Sequence, residues 1–183
     1  LSPAVLIDLL EHSGAHYADF INSLDPFAKA AFSVAWAGET TSANWFHIAR
    51  EYTEKWHHQQ QIRQAVGQEA PLYAREFYFP YLETSMRALP HHYRTVPGRD
   101  HDLIQFNIEG AGGGSWYLQF ETGAWHLQKE PSVDPLCVVT IPGEIAWRIF
   151  TKGISPAEAA RQVSISGQTA LGEKILDMLA VMA

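Results

Sequence analysis

The sequence predicts an α+β fold: a helical first half, then strands paired antiparallel with helices on one face. Two observations predict it. In the first half, apolar residues such as Leu6, Leu9, Leu10, Tyr17, Phe20 and Ile21 recur at helical spacing. Further on, HDLIQFNIEG, SWYLQFE and AWHLQKE alternate apolar and polar residues, as half-buried strands do.

The elements follow in order. A first helix is expected over residues 3–24, opened by Pro3 and ended by Asp25 and Pro26. A looser stretch runs to Gly38. Thr41 or Ser42 then caps a second helix over roughly 42–66, closed by Gly67. Pro71 opens a third, which runs to Leu89 with a kink at Pro80 and stops at Pro90. Residues 110–114 join the first two strands, and Thr122 with Gly123 forms a hairpin turn to the third. PLCVVTI reads as a short apolar strand. An amphipathic segment 142–151, a short helix from Pro156, a strand around 163–165 and a last helix 168–182 complete the chain. The change of pattern falls in PHHYRTVPGRD. It divides the chain into a helical part, 1–70, a connecting helix and linker, 71–99, and an α+β domain, 100–183.

Composition narrows the function. The 183 residues carry a formal charge of −7, which argues against nucleic acid or an anionic membrane as the main partner. A lone cysteine, Cys137, excludes an internal disulfide framework and suits a reducing cytosol, so a cytoplasmic location is expected. Six tryptophans hint at a pocket, since large aromatic rings line small-molecule sites as well as cores. For Trp116, Trp125 and Trp147 the core is the better reading. Cys137 sits in an apolar strand and reads as inert core. The glycines of residues 110–114 match no phosphate-binding motif. His91 and His92 fall in the turn between the two halves and read as a solvated pair.

The stretch REYTEKWHHQQQIR on the second helix carries the chemistry. At about 100° per residue, His47, Glu51, Glu54 and His58 fall within an arc of roughly 60°, with Gln61 extending the stripe. Trp45, Tyr52 and Trp56 lie opposite. Side chains at i and i+4 converge across one turn, so Glu54 and His58 can aim a carboxylate oxygen and an imidazole nitrogen at one metal ion. Two ligands do not hold zinc, and a third must come from elsewhere. By spacing alone, a solvated surface stripe is the competing reading. The motif is not H-E-x-x-H, so a zincin protease is not indicated.

The run VAWAGETTSANWFHIAREYTEKWHHQQQIRQAVG resembles the last bundle helix, and its entry, of the DinB-like superfamily, which includes the mycothiol-dependent maleylpyruvate isomerases. The family's closing pattern is matched here by Glu54, His58 and Gln61-Ile62, and this chain has Glu where many members have His. The resemblance implies a four-helix bundle holding a divalent metal, zinc expected, with Glu54 and His58 as ligands. It places the third ligand, a histidine, on an earlier helix outside this chain. His57 is expected to point away, and His12 with His16 to be surface or helix-pairing residues. The sequence opens on Leu1, and the resemblance implies that the first bundle helices precede it.

VTIPGEIAWRIFTKGISPAEAARQVSISGQTALGEKILDMLAVM resembles the end of a sterol-carrier-protein-like domain. The matching pattern is a strand, a helix with Trp147 and Phe150, then Gly153 before Ser155-Pro156 and an Ala-rich turn. A strand ending in Ser166-Gly167 and an amphipathic last helix follow. GAGGGSWYL resembles the Gly-Gly-x-Trp hairpin of the domain fused to isomerase-type bundles.

Two functions are expected from these resemblances. One is a metal- and thiol-dependent isomerase or S-transferase of the maleylpyruvate isomerase type, using a low-molecular-weight thiol such as mycothiol and a small-molecule substrate. The other is a non-catalytic protein binding an apolar small molecule. The Glu54 and His58 side chains are expected to meet within one molecule or across a homodimer, and Trp147, Phe150, Ile175 and Leu179 to be buried on the sheet.

Overall fold

A computed structural model describes residues 2–180. Helix α1 (Pro3–Ser23) starts where the Ser2 hydroxyl accepts from the Val5 amide and Pro3 occupies the first turn. Helix α2 (Asn44–Ala65) begins two residues later than the expected cap. The Ser42 hydroxyl is taken, accepting from the Val34 amide at 2.8 Å and donating to Glu39. It therefore ties the preceding loop instead of capping the helix.

The third expected helix is divided. A 3₁₀ turn at Ala70–Tyr73 leads into α3 (Arg75–Met86), and α4 (Leu89–His92) follows with Pro90 inside its first turn. Proline lacks an N–H and suits a first turn, so Pro90 starts a helix here where a stop was expected. Pro80 lies within α3.

The second half is built on a five-stranded sheet in the order β3-β2-β1-β4-β5, formed by β1 (Leu103–Ile108), β2 (Gly114–Glu121), β3 (Ala124–Gln128), β4 (Cys137–Ile141) and β5 (Ser164–Gly167). The expectation of an antiparallel sheet needs correcting, because β1 and β4 pair in parallel. The connection through the β2–β3 hairpin returns the chain beside β1 in its own direction. The β2–β3 turn is the expected pair, with Thr122 at φ 51° and Gly123 at φ 86°, both left-handed as a tight two-residue hairpin requires. At the β1–β2 turn a Cβ on Gly113 would lie 1.9 Å from the Ile108 carbonyl oxygen, so only glycine fits.

The alternation of side chains decides the layers. Ile104, Phe106, Ile108, Trp116, Leu118, Trp125, Cys137, Val139 and Ile141 are buried on the covered face. Gln105, Asn107 and Ser115 share hydrogen bonds on the other face. Helices α3 and α4, with α5 (Gly143–Phe150), α6 (Pro156–Ala159) and α7 (Thr169–Gly172), contribute to the same core. Ser155 caps α6 in a reciprocal box with Glu158.

The last helix is also corrected. A single α turn passes into a 3₁₀ turn at Glu173–Asp177, and Met178 is already extended. Residues 181 and 182 of the expected helix lie outside the described residues. Because the helical period ends at Asp177, Met178 takes the buried position and Leu179 is only half-buried, while Trp147, Phe150 and Ile175 are buried as expected.

A four-helix bundle is not formed among the described residues. Helix α1 buries no residue, and Leu6, Ile7, Leu9, Leu10 and Phe20 face solvent. Helix α2 instead packs its Trp56 face on α3 and α5. The Trp56 ring lies 4.9 Å from Tyr78, 4.2 Å from Tyr81 and 6.0 Å from Trp147. Burying about 200 Å² of indole at about 25 cal/mol/Å² is worth up to about 5 kcal/mol, so Trp56 contributes substantially to holding α2 on the rest of the core.

Candidate metal centre on helix α2

Ligand atoms of Glu54, His57 and His58 lie within 4.8 Å of one another. Glu54 and His58 are one turn apart, with Glu54 Oε2 at 3.7 Å from His58 Nε2. That distance is beyond a hydrogen bond and leaves the lone pairs free. Gln61 Oε1 stands 3.0 Å from His58 Nδ1. When Nδ1–H donates to Gln61, the other nitrogen, Nε2, carries the lone pair on the Glu54 side.

His57 packs against Trp147, but it does not point away from the pair as expected. It lies three residues after Glu54, and i,i+3 neighbours share a helix face, so the spacing could have revealed it. Its ring is 5.1 Å from His58 and 5.9 Å from Trp147 on α5. Burial lowers its pKa, and the neighbouring His58 lowers it further, so the neutral, ligating form is favoured.

The rest of the stripe does other work. His47 Nε2 lies 2.7 Å from the Phe32 carbonyl oxygen, and Arg50 lies 3.3 Å from its other nitrogen, so His47 ties down the preceding loop. Burial and then the Glu51 charge raise the pKa of Tyr17 on α1. His12 and His16 are exposed and meet edge-on at 4.4 Å.

A bundle of the kind the resemblance implies would bury this stripe in its interior. Glu54 is one-third exposed at 32%, and His58 is open at 67%, so this side of the cluster is reached from solvent. Its inner side is aromatic. The Tyr81 hydroxyl is buried and meets no partner at hydrogen-bonding geometry. Burial drives its pKa well up, Ser85 opposes the rise, and the Glu54 charge adds to it. No pattern in the sequence distinguishes this tyrosine from its neighbours on α3.

One carboxylate oxygen and two imidazole nitrogens are the donor types that zinc and related divalent ions take. The residues present therefore fit such an ion, with Glu54 and His58 as its ligands, His57 within reach and Gln61 orienting His58.

His92 is structural, not the solvated turn residue expected. His92 Nε2 lies 2.7 Å from the Lys174 carbonyl oxygen and joins α4 to the chain's last turn. Cys137 is buried, and burial pushes its thiol pKa up, which leaves it unreactive. No described helix is long and apolar enough to cross a membrane.

No protein-family model matches the chain, and no curated protein matches its sequence. Solved structures give partial likenesses. Sterol carrier protein 2 like 2 from Aedes aegypti is 19% identical, covering 54% of this chain and 95% of its own, with a TM-score of 0.41. The palmitated form of the Aedes aegypti protein is 18% identical over 55% of this chain and 98% of its own, with a TM-score of 0.42. The ubiquinone synthesis protein UbiJ-SCP2 is 14% identical over 63% of this chain and 92% of its own, with a TM-score of 0.33.

Proposed function

We propose that α2 carries part of a divalent-metal site and that the protein acts on a small molecule there as a thiol-dependent isomerase or S-transferase of the maleylpyruvate isomerase type. The convergence of Glu54, His57 and His58 supports this reading. Zinc is the expected ion, and mycothiol or a similar low-molecular-weight thiol the expected co-substrate. A divalent ion bound there would lower the pKa of a thiol into the neutral range. The chain's own residues do the rest. Gln61 holds the His58 ring, His57 stays neutral against Trp147, and the solvent-open side of the stripe admits the thiol and substrate. Glu54 and His58 are the proposed ligands, with His57 the third donor within reach of the same ion.

The test is zinc competition against a chromophoric chelator, run on the unaltered chain and on His58→Ala and Glu54→Gln. Binding of one ion per chain that is lost in His58→Ala and weakened in Glu54→Gln supports the reading. Equal affinity in all three ends it.

A second reading, non-catalytic binding of an apolar small molecule, has an observation of its own. A groove of about 340 Å³ is lined by Ile149, Ile154, Pro156, Leu176 and Met178, with Lys152, Ser155 and Asp177 beside them. Its size is at the lower end for small-molecule sites. Uptake of a fluorescent fatty acid, lost on Ile154→Lys and indifferent to zinc, would favour this reading over the first.

A further inference from the structure

A second groove, of about 400 Å³, lies between α3 and the β2–β3 hairpin, away from the metal-ligand cluster on α2. Phe79 and Glu83 line it from α3 and Arg87 from the residue just after it, while Trp116 and Leu127 line it from the sheet and Lys129 from just beyond β3. Phe79, Glu83 and Arg87 are spaced every four positions, the last at the helix's C-cap, and so lie on one side of it.

The floor is aromatic and held in place. The Phe79 and Trp116 rings stack at 5.8 Å with 24° between their planes. The Trp116 indole N–H donates to Glu83 Oε2 at 2.8 Å, which fixes the ring. Trp116 is only 6% exposed and offers the groove no more than its edge, while the half-buried Phe79 offers the larger apolar contact.

The rim is cationic in a protein whose overall charge is −7. The Arg75 guanidinium sits 4.3 Å over the Phe79 ring. Arg87 reaches Glu83 only at 4.0 Å and stacks over Trp45 at 4.6 Å. Lys129 is exposed, and no ion pair forms with it among the described residues. Two cations, Arg87 and Lys129, therefore share the groove with one carboxylate, Glu83, which already accepts from Trp116. An anion entering here would meet Arg87 and Lys129 while its apolar body lies on Phe79 and the edge of Trp116.

We propose that this groove is a binding site for a small planar aromatic carboxylate. The site is separate from the metal centre and does not depend on that reading.

The probe is 2-naphthoate, measured by equilibrium dialysis in chelator so that no metal contributes. Saturable binding below about 10 mM is expected. The uncharged 2-naphthamide should bind about tenfold more weakly, because it forgoes charge-assisted bonds to Arg87 and Lys129. Arg87→Gln and Lys129→Gln should each weaken 2-naphthoate about threefold or more and leave 2-naphthamide unchanged. Raising salt from about 0.05 to about 0.5 M should weaken the acid alone. Equal affinity for acid and amide on the unaltered protein would overturn the proposal, without recourse to any variant. Absence of saturable binding would overturn it as well, as would undiminished binding in both charge variants.

Discussion

Glu54 Oε2 stands 3.7 Å from His58 Nε2, one turn along α2, with the opposite nitrogen of the same ring turned to Gln61 at 3.0 Å. The first relationship makes a ligand pair, and the second decides which nitrogen is free to ligate. Gln61→Ala should keep both ligands but lose the ring's orientation. Zinc affinity is expected to fall about tenfold, in line with the loss of other partners that orient metal-bound histidines. Chelator competition on the purified variant measures this, and an unchanged affinity would remove Gln61 from the site.

Tyr78 joins α3 to the start of α5. Its buried hydroxyl donates to the Gly143 carbonyl oxygen at 2.5 Å. Tyr78→Phe keeps the ring stacked on Trp56 and leaves that carbonyl without this donor. The expected loss is about 1–3 kcal/mol in urea unfolding. A loss below a few tenths would mean that water replaces the hydroxyl.

Histidine burial sets a pH dependence. Burial lowers the His92 pKa from its ordinary 6.5, against the opposing pull of the Lys174 carbonyl. The folded state thus prefers neutral His92, and the unfolded chain takes up the proton first. Stability is fully present above pH 6.5, falls as pH drops through the depressed folded value, and levels off below it. His57 titrates in the same direction. His92→Gln should therefore reduce the stability slope between about pH 7 and about pH 5 without abolishing it. Thermal melts across that range give the slopes, and identical slopes for the two proteins would be the contrary result.

Gly113 has no room for a side chain. A Cβ there would meet the Ile108 carbonyl oxygen at 1.9 Å, and backbone cannot yield as a flexible side chain can. Gly113→Ala should cost about 2 kcal/mol or more and disturb the β1–β2 turn. Gly110, at φ 93° with open space around its Cβ, should tolerate Asn with a smaller loss. Denaturant midpoints of the two variants test the order, and a reversal would show that the turn relaxes.

The sequence by itself determined the helical first half, the strands of the second, the Thr122–Gly123 turn and the Glu54/His58 pair. These rest on local physics: the period of apolar residues, the left-handed backbone a tight turn needs, and the i,i+4 spacing of a helix. Tertiary structure decided the remainder. Whether β4 runs parallel to β1 depends on how the chain returns across the sheet, which no local pattern encodes. The last helix stops at Asp177, and the extended backbone after it places Met178 rather than Leu179 in the core. Tyr81 comes under the Glu54 charge only because Trp56 docks α2 onto α3, and the cationic groove forms only where α3 crosses the β2–β3 hairpin. Side chains from distant segments acquire a shared environment through packing, and packing is a property of the whole chain rather than of any stretch within it.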